Sequence, residues 1–120
     1  RLVEPGNYKE KDGRAAVETL LKKGIRFEAV FAGDDGSAIG ALAALNQAGL
    51  RVPEDVGLAG FDDIPPSRYL NPPLTTVRAP TEQVGRQAVK QLVRRIQTGQ
   101  ADAEVLLPTE LVIRQSCGCK

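Results

Sequence analysis

Ala29-Val-Phe-Ala-Gly-Asp-Asp-Gly-Ser37 is four apolar residues running into a turn of glycines and paired acids, and this strand-to-helix junction decides the fold. A short apolar run closed by Gly and Asp predicts a strand over 29–32. Beyond it, Ile39, Leu42, Ala43 and Leu45 recur at helical spacing over 37–48, and Gly49 supplies the stop. A second junction repeats the first: Val56-Gly-Leu-Ala-Gly-Phe61 runs into Asp62-Asp63. Its nearly unbroken apolarity predicts a strand covered on both faces, as in a parallel sheet.

The pattern extends outward in both directions. Over 13–23, Ala16, Val17, Leu20 and Leu21 share one face, with Lys22 and Lys23 suited to the helix C-terminal dipole and Gly24 free to cap it. Over 81–98, Val84, Ala88, Leu92 and Ile96 recur every fourth residue, between Pro80 and Gly99. Further strands are predicted at 74–77 and, as a C-terminal pair, at 105–107 and 110–114. The loop Val52-Pro-Glu-Asp55 leads from helix to strand, and Asn71-Pro-Pro73 forces an extended entry to the next one. Helix and strand in alternation predict an α/β domain with a three-layer, doubly wound, mostly parallel sheet.

At 120 residues the chain is long enough for one domain with a true core. Lys and Arg number 16 against 15 Asp and Glu, and they are scattered, so no stretch offers the continuous positive field that phosphate-backbone binding needs. No apolar run approaches the roughly 20 residues required to cross a bilayer, and no signal-peptide pattern opens the chain. A cytoplasmic location and no membrane partner are expected, and the start at Arg1 without Met is what an excised fragment would show. There is no His, which removes the commonest general base and metal ligand. No catalytic residue, no metal site and no cofactor is expected. The two cysteines, Cys117 and Cys119, read as reduced thiols in a tail in preference to metal or redox chemistry, since a bridge across one residue is strained.

In an open parallel sheet a ligand binds outside the carboxyl ends of the strands, where the four acids lie. A carboxylate only accepts hydrogen bonds, so it suits a ligand rich in hydroxyl or amine donors, such as a sugar or nucleoside. Against this stands capping: an Asp before a helix accepts from the free N–H groups of its first turn, and Asp35 is placed to do so for the helix near Ser37. Gly33, Gly36 and Gly40 match neither the dinucleotide fingerprint nor a Walker loop. Tyr8, in the turn-rich stretch Glu4-Pro-Gly-Asn-Tyr8, reads either as an aromatic platform for a ring or as a partly buried anchor, and Phe61 as core.

The stretches 29–42, 49–56, 60–64, 72–77 and 107–114 together resemble the C-terminal effector-binding lobe of LacI/GalR-family transcription regulators, in the family's order and over nearly the whole chain. The resemblance implies one lobe of a type I periplasmic-binding-protein-like fold, whose two lobes close on a small effector, and an allosteric link from that effector to DNA binding. Ligand contacts in the family fall at positions matching Tyr8, Asp34 and Asp62. Asp34 stands where Asn is common, and an arginine that clamps the effector in many members would lie upstream of Arg1. It also implies that residues 1–78 and 105–120 form the lobe, while 79–104 is a crossover helix that would pack on the first lobe. The uncovered face Val84, Ala88, Leu92 and Ile96 then invites pairing, so a homodimer is expected. DNA would be reached only through a helix-turn-helix outside these residues. Two rivals remain: a sugar-binding domain of a transport or larger signalling protein, and a magnesium-dependent receiver-like domain, which needs a Lys where Arg78 follows the 74–77 strand.

Overall fold

The computed structural model describes residues 2–119. The chain divides into two compact units, Arg1–Arg78 with Leu111–Lys120, and Ala79–Glu110.

The first unit holds helix α1 (Glu10–Lys22), strand β1 (Ala29–Phe31), helix α2 (Asp35–Gln47), strand β2 (Gly57–Ala59), a 3-10 helix at Pro65–Tyr69, strand β3 (Thr76–Arg78) and all but the first residue of strand β4 (Glu110–Val112), followed by a 3-10 turn at Gln115–Cys117. Strands β1 and β2 are parallel, with Ala29, Val30 and Phe31 opposite Gly57, Leu58 and Ala59. A parallel bridge from Ala59 to Thr75 carries the sheet towards β3, which pairs with β4. The α/β architecture predicted from the two apolar runs is the one observed. The strands are shorter than predicted, and no strand forms over 105–107, where Val105 and Leu106 are exposed and Pro108 lacks a backbone donor.

The core explains why α2 has so little amphipathic contrast. Its buried residues are Ala38, Ala41, Leu42, Ala44 and Leu45, joined by Val17, Ala32, Val52, Val56, Leu58 and Leu74. Of the positions that recur at helical spacing, Leu42 and Leu45 are buried, while Ile39 and Ala43 are half-buried. Two glycines let α1 and α2 meet backbone to backbone. A Cβ on Gly13 would collide with the Ser37 carbonyl, and one on Gly40 with the Glu10 carbonyl and the Arg14 amide. Helix α1 begins three residues earlier than its apolar pattern, with Glu10 and Asp12 at its positive end.

A C-terminal latch closes this unit. Buried Ser116 donates from its hydroxyl to the Leu58 carbonyl (2.6 Å) and accepts from the Thr75 amide (2.8 Å), bridging β2 and the approach to β3. In the second unit, α3 (Thr81–Thr98) has no buried residue. Gln91 donates to the Ala103 carbonyl and Arg94 pairs with Asp102, so the polar side meets the following loop while Val84, Leu92 and Ile96 stay exposed.

Candidate functional site

Phe31 and Ala59 are the last paired residues of β1 and β2, and three residues beyond them stand Asp34 and Asp62. The two carboxylates thus leave the sheet at equivalent positions on neighbouring parallel strands. The turns are held together where the Asp35 amide donates to the Phe61 carbonyl (2.8 Å). Phe61, assigned to the core, is half-buried and lies outside the buried cluster.

The paired acids at each junction divide into one structural and one open member. Asp35 is fully buried and accepts from the Ser67 hydroxyl (2.5 Å), the Thr76 hydroxyl (2.6 Å) and the Ile64 amide (3.0 Å). The cap of α2 is Asp34, whose Oδ1 accepts from the Ser37 amide (2.8 Å), so the capping role expected of Asp35 belongs to its neighbour. Capping uses one oxygen of Asp34 and leaves Oδ2 without a protein donor among the described residues.

Asp63 is the structural member of the second pair. Its side chain is 3% exposed and takes the guanidinium groups of Arg114 (2.5 Å) and Arg78 (2.8 Å). Burial pushes its carboxyl up, but the hydrogen bonds and charges of the two arginines outweigh burial and hold it below the usual range. Asp62, by contrast, is exposed and has no hydrogen-bonding partner for its carboxylate among the described residues. Desolvation, then the like charges of Asp35 and Asp34, raise its carboxyl above the usual range. Both residues have left-handed backbone, φ 107° at Asp62 and 53° at Asp63.

Tyr8 completes the group. It too is left-handed, at φ 57°, and three-quarters of its surface is exposed. Its ring edge lies 3.5 Å from where a Gly33 side chain would begin, so the ring reaches the β1-to-α2 turn that carries Asp34. A cavity of about 490 Å³ opens beside it, lined by Tyr8, Val17, Phe27, Phe31 and Ser37 among others; Asp34 and Asp62 are not in its wall. Of the residues missed in the sequence, Asp35's partners Ser67 and Thr76 and the Asp63 partner Arg114 lie 32, 41 and 51 positions away, with no spacing rule to reveal them. Among the described residues there is no group of three or more His, Cys, Asp or Glu able to hold a metal, and no helix long and apolar enough to cross a membrane.

A family model described as a periplasmic binding protein-like domain matches residues 2–117. The HTH-type transcriptional repressor MelR of Bacillus subtilis (strain 168) is 41% identical over 114 residues, 95% of this chain and 33% of MelR. Among solved structures, the transcriptional regulator CelR in complex with cellobiose has a TM-score of 0.88 and 38% identity, over 92% of this chain and 34% of that one. The lac repressor dimer bound to operator and the anti-inducer ONPF has a TM-score of 0.86 and 32% identity, over 92% and 39%. The chain belongs to the periplasmic-binding-protein-like domain family, in the branch carried by LacI-type transcription regulators. It spans about a third of the length of these relatives, whose names are those of repressors and regulators, not enzymes.

Proposed function

We propose that this chain is the effector-sensing lobe of a LacI-type DNA-binding transcription regulator, and that Tyr8, Asp34 and Asp62 bind a hydroxyl-rich small molecule, a sugar in preference to a nucleoside. The observation that carries this is the pair of carboxylates with open acceptor positions at equivalent places on two adjacent parallel strands. Each can take hydroxyl donors, and one carboxylate can take two neighbouring hydroxyls at once. The Tyr8 ring offers an apolar face to stack on a pyranose. The CelR–cellobiose complex among the structural neighbours supports a sugar. Asp35 and Asp63 are committed to protein donors, which leaves too few acids for the magnesium chemistry of a receiver-like domain.

The free energy available for regulation is the difference in effector affinity between lobe arrangements of the whole regulator. DNA contact belongs to a separate helix-turn-helix module, and the working unit is a homodimer, in keeping with the dimeric lac repressor among the neighbours. The test is a thermal-shift screen of the full-length regulator against sugars, polyols, nucleosides and magnesium. A ligand at about 100 times its dissociation constant adds roughly 2.7 kcal/mol of stability. A shift with a sugar that disappears in Asp62→Ala is the expected outcome; a shift with magnesium alone rejects the proposal.

A further inference from the structure

Cys117 and Cys119 do not lie in a loose tail. The residue before them, Ser116, is bolted to β2 and the approach to β3, and its amide also donates to the Pro73 carbonyl (3.0 Å). Gly118 between the cysteines is left-handed at φ 71°, the conformation glycine adopts without strain, and the chain doubles back there. In consequence the Cys119 amide donates to the Cys117 sulfur at 3.2 Å. The pair lies at the amino end of β2, with the Cys117 carbonyl 3.6 Å from where a Gly57 side chain would begin, and so at the opposite end of that strand from Asp62.

The two thiols differ in character. Burial pushes the Cys117 thiol up, but the neighbouring Cys119 side chain, then Thr75 and the backbone, outweigh burial and hold Cys117 below the usual thiol range, while its thiol has the Arg114 carbonyl to donate to at 3.5 Å. The bond to Cys117 is the main cause of the rise at Cys119. The two shifts run in opposite directions and favour ionisation of the half-buried Cys117 over the exposed Cys119. That asymmetry is what a nucleophilic thiol and a resolving thiol require.

We propose that Cys117-Gly118-Cys119 is a reversible modification site, a dithiol that low-molecular-weight disulfides of the glutathione type oxidise to an internal disulfide. The Cys117 thiolate attacks one sulfur of the oxidant, forming a mixed disulfide and expelling one thiolate, which takes up a proton. Cys119 then loses its proton and attacks the Cys117 sulfur, closing the Cys117–Cys119 bond and releasing the second small thiol. Two electrons pass from the protein dithiol to the oxidant, which leaves as two thiols. Residues two apart can come within the roughly 4.4–6.8 Å of Cα separation that a disulfide spans when the residue between them turns the chain back, as Gly118 does here in bringing the Cys119 amide onto the Cys117 sulfur. The ring is small and strained, and strained, exposed bridges are the easily reduced ones, so this pair acts as a switch and not as a staple.

The experiment is equilibration of the intact protein with oxidised glutathione, acid quenching and mass spectrometry of the C-terminal peptide. Wild type is expected to carry the internal disulfide, reversed by dithiothreitol. The exposed-site variant Cys119→Ser is expected to accumulate glutathione on Cys117, at a level about tenfold above wild type because the ring-closing thiol acts at high effective concentration. Cys117→Ser is expected to react more slowly, at Cys119. Equal mixed disulfide in wild type and Cys119→Ser, or two unmodified thiols in wild type, overturns the proposal. None of these readouts involves the effector, so failure here leaves the proposed function standing.

Discussion

Asp62 and Asp63 are consecutive residues with left-handed backbone, a conformation that costs an ordinary side chain about 1–3 kcal/mol and persists where the surroundings impose it. The surroundings here are the two arginines on Asp63 and the Asp62 amide, which donates to the Val77 carbonyl at 2.8 Å. The result is that Asp63 faces inward and Asp62 outward. Losing a charged hydrogen bond to a buried partner costs about 1.5–3 kcal/mol, so Asp62→Ala is expected to weaken effector binding by roughly tenfold or more in titration calorimetry. The raised carboxyl of Asp62 adds a pH signature. An acceptor must be ionised, so effector affinity falls on acidification from a pH above the ordinary carboxylate range near 4, and the same titration on Asp62→Asn is flat there. Asp35 behaves differently because its removal strands two hydroxyls and an amide: at about 1–3 kcal/mol for a buried group left unsatisfied, Asp35→Ala is expected to be clearly destabilising in urea denaturation.

Between elements, the contact of α1 and α2 depends on two missing side chains. Gly40→Ala forces a methyl against the Glu10 carbonyl, and overpacking of this kind costs about 1–3 kcal/mol. Gly85 in α3 has open space around its Cβ position, so Gly85→Ala is expected to gain about 0.5–1 kcal/mol from helix propensity. Opposite signs for the two glycine variants, measured on one protein by urea denaturation, would check that sterics and not composition decide. The sequence pattern located all three helices, including the limits of α3, because apolar spacing and end residues are local. Of the four positions picked out by spacing in α2, Leu42 and Leu45 are core, and the alanines that complete the buried face, Ala38, Ala41 and Ala44, carry too little hydrophobic contrast to stand out yet fit the closest approach.

For the molecule as a whole, acid stability follows from Asp63 and Asp55. Both carboxyls sit below their ordinary value, Asp55 at about 2 through its bonds to Arg51, so the stability they contribute is present above the unfolded value near 3.9 and is lost as pH falls through the folded values. The exposed Arg51–Asp55 pair contributes less to this than its low value suggests, since solvent screens it. Arg114→Gln is expected to flatten the fall in melting temperature below pH 4 that Asp63 causes. Val84, Leu92 and Ile96 on one exposed helix make self-association of the 120-residue chain an expected outcome in light scattering, removed by Leu92→Glu. The sequence by itself determined the α/β class, the three helices and the two acid-ended junctions, because periodicity, apolar runs and Gly or Pro punctuation act within a few residues. Only the tertiary structure decided which acid of each pair is open. Asp35 and Asp63 are closed by Ser67, Thr76, Arg78 and Arg114, which come within reach only once the sheet has formed, and burial of a carboxylate is a property of what surrounds it, not of its place in the chain.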